Sequence, residues 1–599
     1  MKILLLIFSF VFFSTAALAQ APDKARIRRQ QARSLLIALS TDARAFHDQM
    51  LRARSLARIA DALWTVDTEQ GRLLFRKAWE AAEVADRDND LKLQEEIRQQ
   101  QTKTGRSGYA VTLPPSLRRE VLRLAARRDR VLGEEFLEKL KTEKAEAAEN
   151  AKLNPGKLNE SLSQRLGVAR ELLSTGDLER ALQFADPVLS QVSMETMNFL
   201  VDLRAKDVAA ADKRYAALLA SSTGNPQADA NTVSLLSSYI FTPGLYVVFT
   251  GNGMSTSQMT STITPAEVSP ELRAAFYQSG AAILLRPLPP PGQDAGPAGI
   301  DGKYLVIKRL LPFFEQAAPA EMVESLRGHL NALNTVVSDG TRRRDDEWLD
   351  RGVRPEKPAA DREQALMDRL DRAKTSAERD SIYVQLANLA ARTGDLRARD
   401  FVSKIEETEL RKQFQAYMDG TLVTYHLEKK QTEPVMELIR KGELTHLHRV
   451  WAFTQAAKIL VKTDREAALQ LVEEAGTEAR RIDVTDPGRP QALLAVVNAL
   501  KLIDAARVWD ATFDAVKAAN SAEKFTGEDG TLILQFQSKV QSSVHTNDAP
   551  DFDLEGIFKE LATQDYERAV ELARGFEHEG PRATATIAIA RAVLEPKKK

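Results

Sequence analysis

One short pattern returns along the chain and constrains the fold more than any other feature. Thr65-Val-Asp67-Thr-Glu69-Gln-Gly71 is followed by Thr175-Gly-Asp177-Leu-Glu179-Arg-Ala181 and by Thr393-Gly-Asp395-Leu-Arg397-Ala-Arg399. Lys462-Thr-Asp464-Arg-Glu466-Ala-Ala468 and Thr563-Gln-Asp565-Tyr-Glu567-Arg-Ala569 continue the series, with a degenerate copy at Asp504. Each Asp can accept hydrogen bonds from the free N–H groups that open a helix, and an acidic residue two places on complements that helix's positive end. The small residue four places after the Asp lets the two helices of a hairpin approach closely.

The flanks carry the matching apolar stripes. Leu162, Leu166, Ala169 and Leu173 precede the second copy, and Leu178, Ala181, Leu182, Ala185, Val188 and Leu189 follow it. Tyr566, Ala569, Val570, Ala573 and Phe576 repeat the stripe near the C-terminus, followed by Ala583, Ile587, Ala590 and Leu594. Asp395 and Asp464 lie 69 residues apart and Asp464 and Asp504 lie 40 apart. These intervals fit paired-helix units of about 34 to 45 residues. The longer one holds two units, because Pro434 opens an extra helix that carries Leu438 and Ile439. Aromatics are only 6% of the chain, and Ala, Leu, Arg and Glu abound, which also favours helix. The expected fold is therefore all-α: an α-solenoid of repeated helical hairpins with an irregular central insertion.

Gly176-Asp177-Leu178-Glu179-Arg180-Ala181, with Ala169 and Leu172 upstream, resembles a tetratricopeptide repeat. Ala169 and Ala181 match small residues at that family's helix crossing, and Ala569 and Pro581 match its small residue and closing proline in the last copy. The sequence departs from the family at Arg399 and lacks the Trp and Tyr of its first helix, so a HEAT-like or otherwise divergent α-solenoid also fits. The resemblance implies a concave face that binds a protein or peptide.

The first residues read as an address. Lys2 precedes an apolar run from Ile3 to Phe13, and Ala17-Leu18-Ala19 has the small-x-small form of a signal-peptidase site. Cleavage after Ala19 leaves Gln20 first and exports the protein to a periplasmic or extracellular location. An uncleaved signal would be the one membrane contact, since no later segment approaches the about 20 apolar residues a span requires. The expected organisation is a signal peptide over 1–19 and an N-terminal helical repeat region over 20–220, including one long charged helix at 117–152. A Gly/Pro/Ser-rich insertion over 221–300, a helical hairpin over 301–337, a linker over 338–362 and C-terminal repeats over 363–599 follow.

The chemistry that can be excluded is broad. With no cysteine there is no disulfide, thiolate metal site or Cys nucleophile. A net charge of −1 gives no footprint for a nucleic-acid binder. Arg119, Arg123, Arg127 and Arg130 suggest an anion patch, or else a solvated face neutralised by Glu134 and Glu135. The seven histidines are His47, His329, His426, His446, His448, His545 and His578. His446 and His448 point about 200° apart on a helix and cannot share a metal from one turn. Glu577-His578-Glu579 lacks the second His of a zinc-protease helix, and Gly251-Asn-Gly253 lacks the ending of a phosphate loop. Asp345-Asp346-Glu347 adjoins Arg342-Arg343-Arg344 and reads as a solvated charge run. The sequence thus assigns no catalytic residue, metal ligand or cofactor.

In the insertion, Tyr239, Phe241, Tyr246, Phe249 and Tyr277 stand among Ser, Thr and Gly, which is the chemistry of an adaptable contact surface. These five are the candidate partner-binding residues, within a contributing segment over 232–300; the alternative is that they pack back onto the helices. The leading functional expectation is an exported, non-catalytic scaffold that binds a protein or peptide in the cell envelope. A glycan-cleaving envelope enzyme with a helical-repeat shell and a self-assembling structural component are the other classes, and the sequence leaves the oligomeric state open.

Overall fold

The structure is a computed structural model that describes residues 25–104, 116–142, 158, 160–250, 253–258, 263–287, 297–342, 347–353, 359–528, 530–537 and 542–595. The expected signal peptide and Asp345-Asp346 lie outside the described residues. The chain is predominantly helical and built from repeated helical hairpins. It divides into two compact units: a middle unit over 122–357, and a terminal unit that joins 1–121 to 358–599.

The capping Asp residues act as their positions predict. Gln70, Arg180, Ala467 and Arg568 donate their N–H groups to Asp67, Asp177, Asp464 and Asp565 at 2.9–3.2 Å. Asp395 receives the N–H of Arg397 at 2.9 Å. Asp504 makes no side-chain cap, and a short 3-10 turn over Ala505–Arg507 replaces it. The sequence reading missed one working copy, Asp207, which accepts from Ala210 at 2.9 Å. The small residues four places on are buried at Ala181, Ala211, Ala468 and Ala569. At Gly71 even a methyl group would stand 2.9 Å from the Trp64 ring.

Of the long helix expected over 117–152, the described part is instead two helices, Leu117–Arg128 and Arg130–Thr142, and 143–152 lies outside the described residues. Asp129 breaks it by capping the second helix through the N–H of Val131 at 2.9 Å, and Val131 is 76% exposed. Hairpins Glu160–Ser174 with Leu178–Ala185 and Met194–Arg204 with Val208–Gly224 follow. The stretch read as an irregular insertion also contains ordered elements: helices Ala230–Ile240 and Pro270–Leu284, and an antiparallel pair, β1 (Leu245–Thr250) and β2 (Gly253–Gln258). The outer edge of β1 is sealed by side chains. Asn231 exchanges two hydrogen bonds with the backbone of Phe249, at 2.7 and 2.8 Å, and Ser234 donates to Val247 O at 2.6 Å. Helices Gly299–Ala317 and Ala320–Asn334 follow. Part of the supposed linker belongs to the middle unit too, since Leu349 is buried and its carbonyl accepts from the buried Arg309.

The terminal unit continues with hairpins Ser376–Ala391/Arg397–Ser403, Thr408–Glu428/Thr432–Lys441, His446–Leu460/Arg465–Ala479 and Gly488–Ile503/Val508–Ser521. Pro434 lies in the first turn of its helix, as expected. After an antiparallel strand pair, β3 (Thr531–Gln537) and β4 (Ser542–Asp548), the helices Leu554–Gln564, Tyr566–Arg574 and Glu579–Leu594 complete the series. The N-terminal hairpin Gln49–Leu63/Thr68–Thr104 belongs to the same unit, and Gln49–Leu63 packs on Glu579–Leu594. Ion pairs bind this seam. Arg591 meets Asp61 at 2.9 Å and Glu555 at 2.6 Å, while Glu528 joins Arg54 at 2.9 Å and Arg58 at 3.0 Å.

Two further devices recur here. An Arg near the start of four first helices reaches back to a carbonyl six or seven residues earlier: Arg52 to Phe46, Arg411 to Ile405, Arg449 to Gly442 and Arg489 to Ile482, at 2.6–3.3 Å. Buried carboxylates meanwhile accept N–H groups at or just before the start of the following helix or hairpin. Asp86 takes that of Leu117 at 2.8 Å, Asp380 that of Glu406 at 2.8 Å and Asp419 that of Glu443 at 2.7 Å. Arg399, which stands where other copies have a small residue, pairs with the buried Asp419 at 2.9 Å.

Candidate binding groove

All five aromatics expected at a contact surface lie inside the middle unit, each 3% exposed or less. Phe241 stacks on Phe313 at 4.1 Å between centroids, and Tyr239 stacks on Tyr215 at 4.2 Å. Their hydroxyls are satisfied internally: Tyr239 donates to Asp212 and Tyr246 to Asn198, both at 2.7 Å, and Tyr277 donates to Phe313 O at 2.8 Å. Burial pushes the phenols of all three tyrosines above their ordinary range. The physical reason is composition. A helix as apolar as Ala230–Ile240 and a strand of Leu-Tyr-Val-Val-Phe find more free energy in a shared core than in water.

Two arginines of the arginine-lined face meet a carboxylate on another helix. Arg123 and Arg127 face Glu171 at 3.9 and 4.0 Å, while Glu134 pairs with Arg165. His446 and His448 take separate partners, Glu478 at 2.7 Å and Thr445 Oγ1 at 2.6 Å. His578 meets the carbonyl of Asn520 at 3.1 Å.

The terminal unit holds an open groove that the sequence reading did not single out. It is a cavity of about 580 Å³ where the last turns of Thr408–Glu428 meet the middle of His446–Leu460. Trp451, half-buried, sits with Leu427 and Ile459, and Asn547 and Asp548 of β4 close one side. Three lysines, Lys430, Lys458 and Lys462, line it together with Glu428 and Asp548. Lys458 and Gln455 are both held by Asp551, whereas Lys430 and Lys462 are exposed. An aromatic and aliphatic surface with a charged rim and two amides suits the side chains and backbone of a polypeptide.

Lys430 stands in an unusual conformation. Gln431 N–H bonds His426 O at 2.8 Å and Lys430 N–H bonds Leu427 O at 3.0 Å, the two bonds of a Schellman helix end. The same turn closes the helices before Asp177 and Asp395, and there the left-handed position is Gly176 and Gly394. In this turn a lysine holds φ at 56°, the one positive φ outside glycine among the described residues. That conformation costs an L-residue roughly 1–2 kcal/mol, and strain of this kind gathers at functional sites.

The strand pair beside the groove is firmly seated. Leu532, Leu534 and Phe536 are buried, and Phe536 packs edge-on against Phe414 and Tyr417 at 4.9 and 5.0 Å. Leu534 fits over Gly420, where a Cβ would stand 2.3 Å from it. His448 lies against the backbone of Ile533. Burial drives its pKa down to about 4, offset in part by that backbone contact.

No protein-family model matches the chain, and no curated protein is similar to it. Among solved structures, it is similar to a circular tandem repeat protein with novel repeat topology and enhanced subunit contact surfaces. The two are 14% identical, over 82% of this chain and 92% of that one, with a TM-score of 0.16.

Proposed function

We propose that the protein is a non-catalytic helical-repeat scaffold, related distantly to tetratricopeptide repeats, that binds a protein or peptide partner through the Trp451 groove. The observation that carries this reading is Lys430. A glycine would close its turn without strain, as Gly176 and Gly394 do in equivalent turns, yet a lysine lines the groove at this position. Replacing Lys430→Gly should therefore raise stability by about 1 kcal/mol while weakening capture of partners. Affinity purification from an envelope fraction with wild-type, Lys430→Gly and Trp451→Ala chains tests it. Unchanged partners at unchanged yield from both variants would remove the groove from the function.

The N-terminal apolar run and Ala17-Leu18-Ala19 support action outside the cytoplasm. The secreted form should begin at Gln20 or within a few residues of it when its N-terminus is sequenced from a Gram-negative host. Recovery of an intact Met1 form in the membrane would replace cleavage with anchoring.

A further inference from the structure

We infer that the groove's ligand is an extended polypeptide segment with acidic side chains, which adds as a third strand to the free edge of β4; this rests on the groove being the binding site. The argument starts from the hydrogen-bond alternation of an antiparallel pair. Ala549 N–H bonds Gly530 O at 2.7 Å, which sets the phase, with Leu532 opposite Asn547 and Leu534 opposite His545. The N–H and C=O groups of Val544, Thr546 and Asp548 consequently point away from β3. Among the described residues no hydrogen-bond partner meets them.

Elsewhere this protein covers such edges. Asn231 and Ser234 occupy that of β1, and His448 lies against that of β3 at Ile533. An uncovered edge is a liability that folds ordinarily blunt, and it is also the chemistry by which strand-addition domains capture peptides. Asn547 and Asp548 belong both to β4 and to the groove wall, so a chain pairing with β4 would reach the groove at the Asp548 end of the strand.

The side chains set the ligand's charge. Lys430 and Lys462 are exposed and Lys458 is held by Asp551, while Lys429 lies 5.8 Å from the Tyr425 ring at the same helix end. Against these stand Glu428 and Asp548. The positive excess favours carboxylates on the alternate residues of the added strand that face Lys430 and Lys462, with an aromatic residue available to Trp451.

The test uses the full-length mature protein and a fluorescein-labelled peptide of about ten residues, alternating valine with glutamate around a central tyrosine. Two further peptides are backbone N-methylated at every second residue, in opposite phases, so that the protein itself is not perturbed. Strand addition predicts that one phase weakens binding by about tenfold, the loss of two or three hydrogen bonds, while the other binds within about twofold of the parent. Hydrogen exchange should slow at Val544, Thr546 and Asp548 when the parent peptide is added. Equal binding by both phases, together with weakened binding to Trp451→Ala, would overturn strand addition and leave the groove reading standing. No binding of the parent peptide, or binding that Trp451→Ala leaves unchanged, would overturn the proposal. A concentration-dependent dimer that Thr546→Pro dissolves would give the edge to a second copy of the chain and overturn it as well.

Discussion

Replacing Asp61→Ala should loosen both ends of the chain at once. Asp61 lies on Gln49–Leu63 and is 2% exposed; Arg591, its partner at 2.9 Å on Glu579–Leu594, is 11% exposed. A hydrogen bond to a charged group contributes about 1.5–3 kcal/mol, and removing one partner of a fully buried pair costs about 3–5 kcal/mol. Glu555 at 2.6 Å continues to neutralise Arg591, so the cost falls below that of a fully broken pair, to about 2–3 kcal/mol. Asp61→Asn keeps the volume and one acceptor and should cost less. Replacing the pair together, Asp61→Leu with Arg591→Met, should return the unit to within about 1 kcal/mol of wild type, because two buried charges are then exchanged for apolar packing.

The assay is hydrogen exchange by mass spectrometry, since a chain of two units need not unfold in one step. For amides in 49–63 and 579–594 that exchange through opening of this seam, 2–3 kcal/mol corresponds to roughly 30- to 150-fold faster exchange. Both segments should accelerate together. Acceleration confined to one helix, or a change below about threefold in both, would refute the idea that this pair clamps the seam.

Among the turn residues, Asp464→Ala should destabilise its hairpin by about 0.5–2 kcal/mol, whereas Asp504→Ala, which removes no cap, should be near neutral, both read by hydrogen exchange of the affected helices. His448 should make the strand pair sensitive to acid. Its folded pKa of about 4 lies below the ordinary 6.5, so the stability it contributes is fully present above pH 6.5 and is lost as the pH falls toward 4, by at most about 3 kcal/mol. Amides of β3 should therefore exchange progressively faster, relative to intrinsic rates, between those two values, and His448→Asn should flatten the dependence.

What the sequence disclosed and what it hid separate along a physical line. Asp67, Asp177, Asp395, Asp464 and Asp565 could be read because a cap involves a side chain and N–H groups two or three residues away, and the residue type itself announces the chemistry. Arg52, Arg411, Arg449 and Arg489 could not, because their acceptors are carbonyls that any residue carries. Asp86, Asp380 and Asp419 were hidden for the same reason, since the N–H groups they bind lie in another element. For β3 a signal was present: Leu532, Leu534 and Phe536 alternate with Ile533 and Gln535 in the period of a strand. The five aromatics of the middle unit have a polar neighbourhood in sequence and an apolar one in space. Ser234 and Asn231, which made that stretch look like a loop, are buried and complete the hydrogen bonding of a strand edge.

The arginine device also says how the terminal unit is put together. Arg411, Arg449 and Arg489 follow one another at intervals of 38 and 40 residues, and each ties the start of a first helix to the chain that leads into it. Arg52 does the same for the N-terminal hairpin, across 6 residues as Arg411 does. The N-terminal hairpin therefore shares this device with three hairpins that lie beyond the middle unit in sequence. A repeat buries its apolar face only against neighbours, so the N-terminal hairpin gains its partner when Glu579–Leu594 exists to receive it. The charges at that meeting serve the same requirement: Arg54, Arg58 and Asp61 on one side find Glu528 and Arg591 on the other, and a buried charge left without its partner is costly. Apolar stripes recur on every hairpin and would accept many neighbours. This set of carboxylates and guanidiniums favours the pairing of the first hairpin with the last.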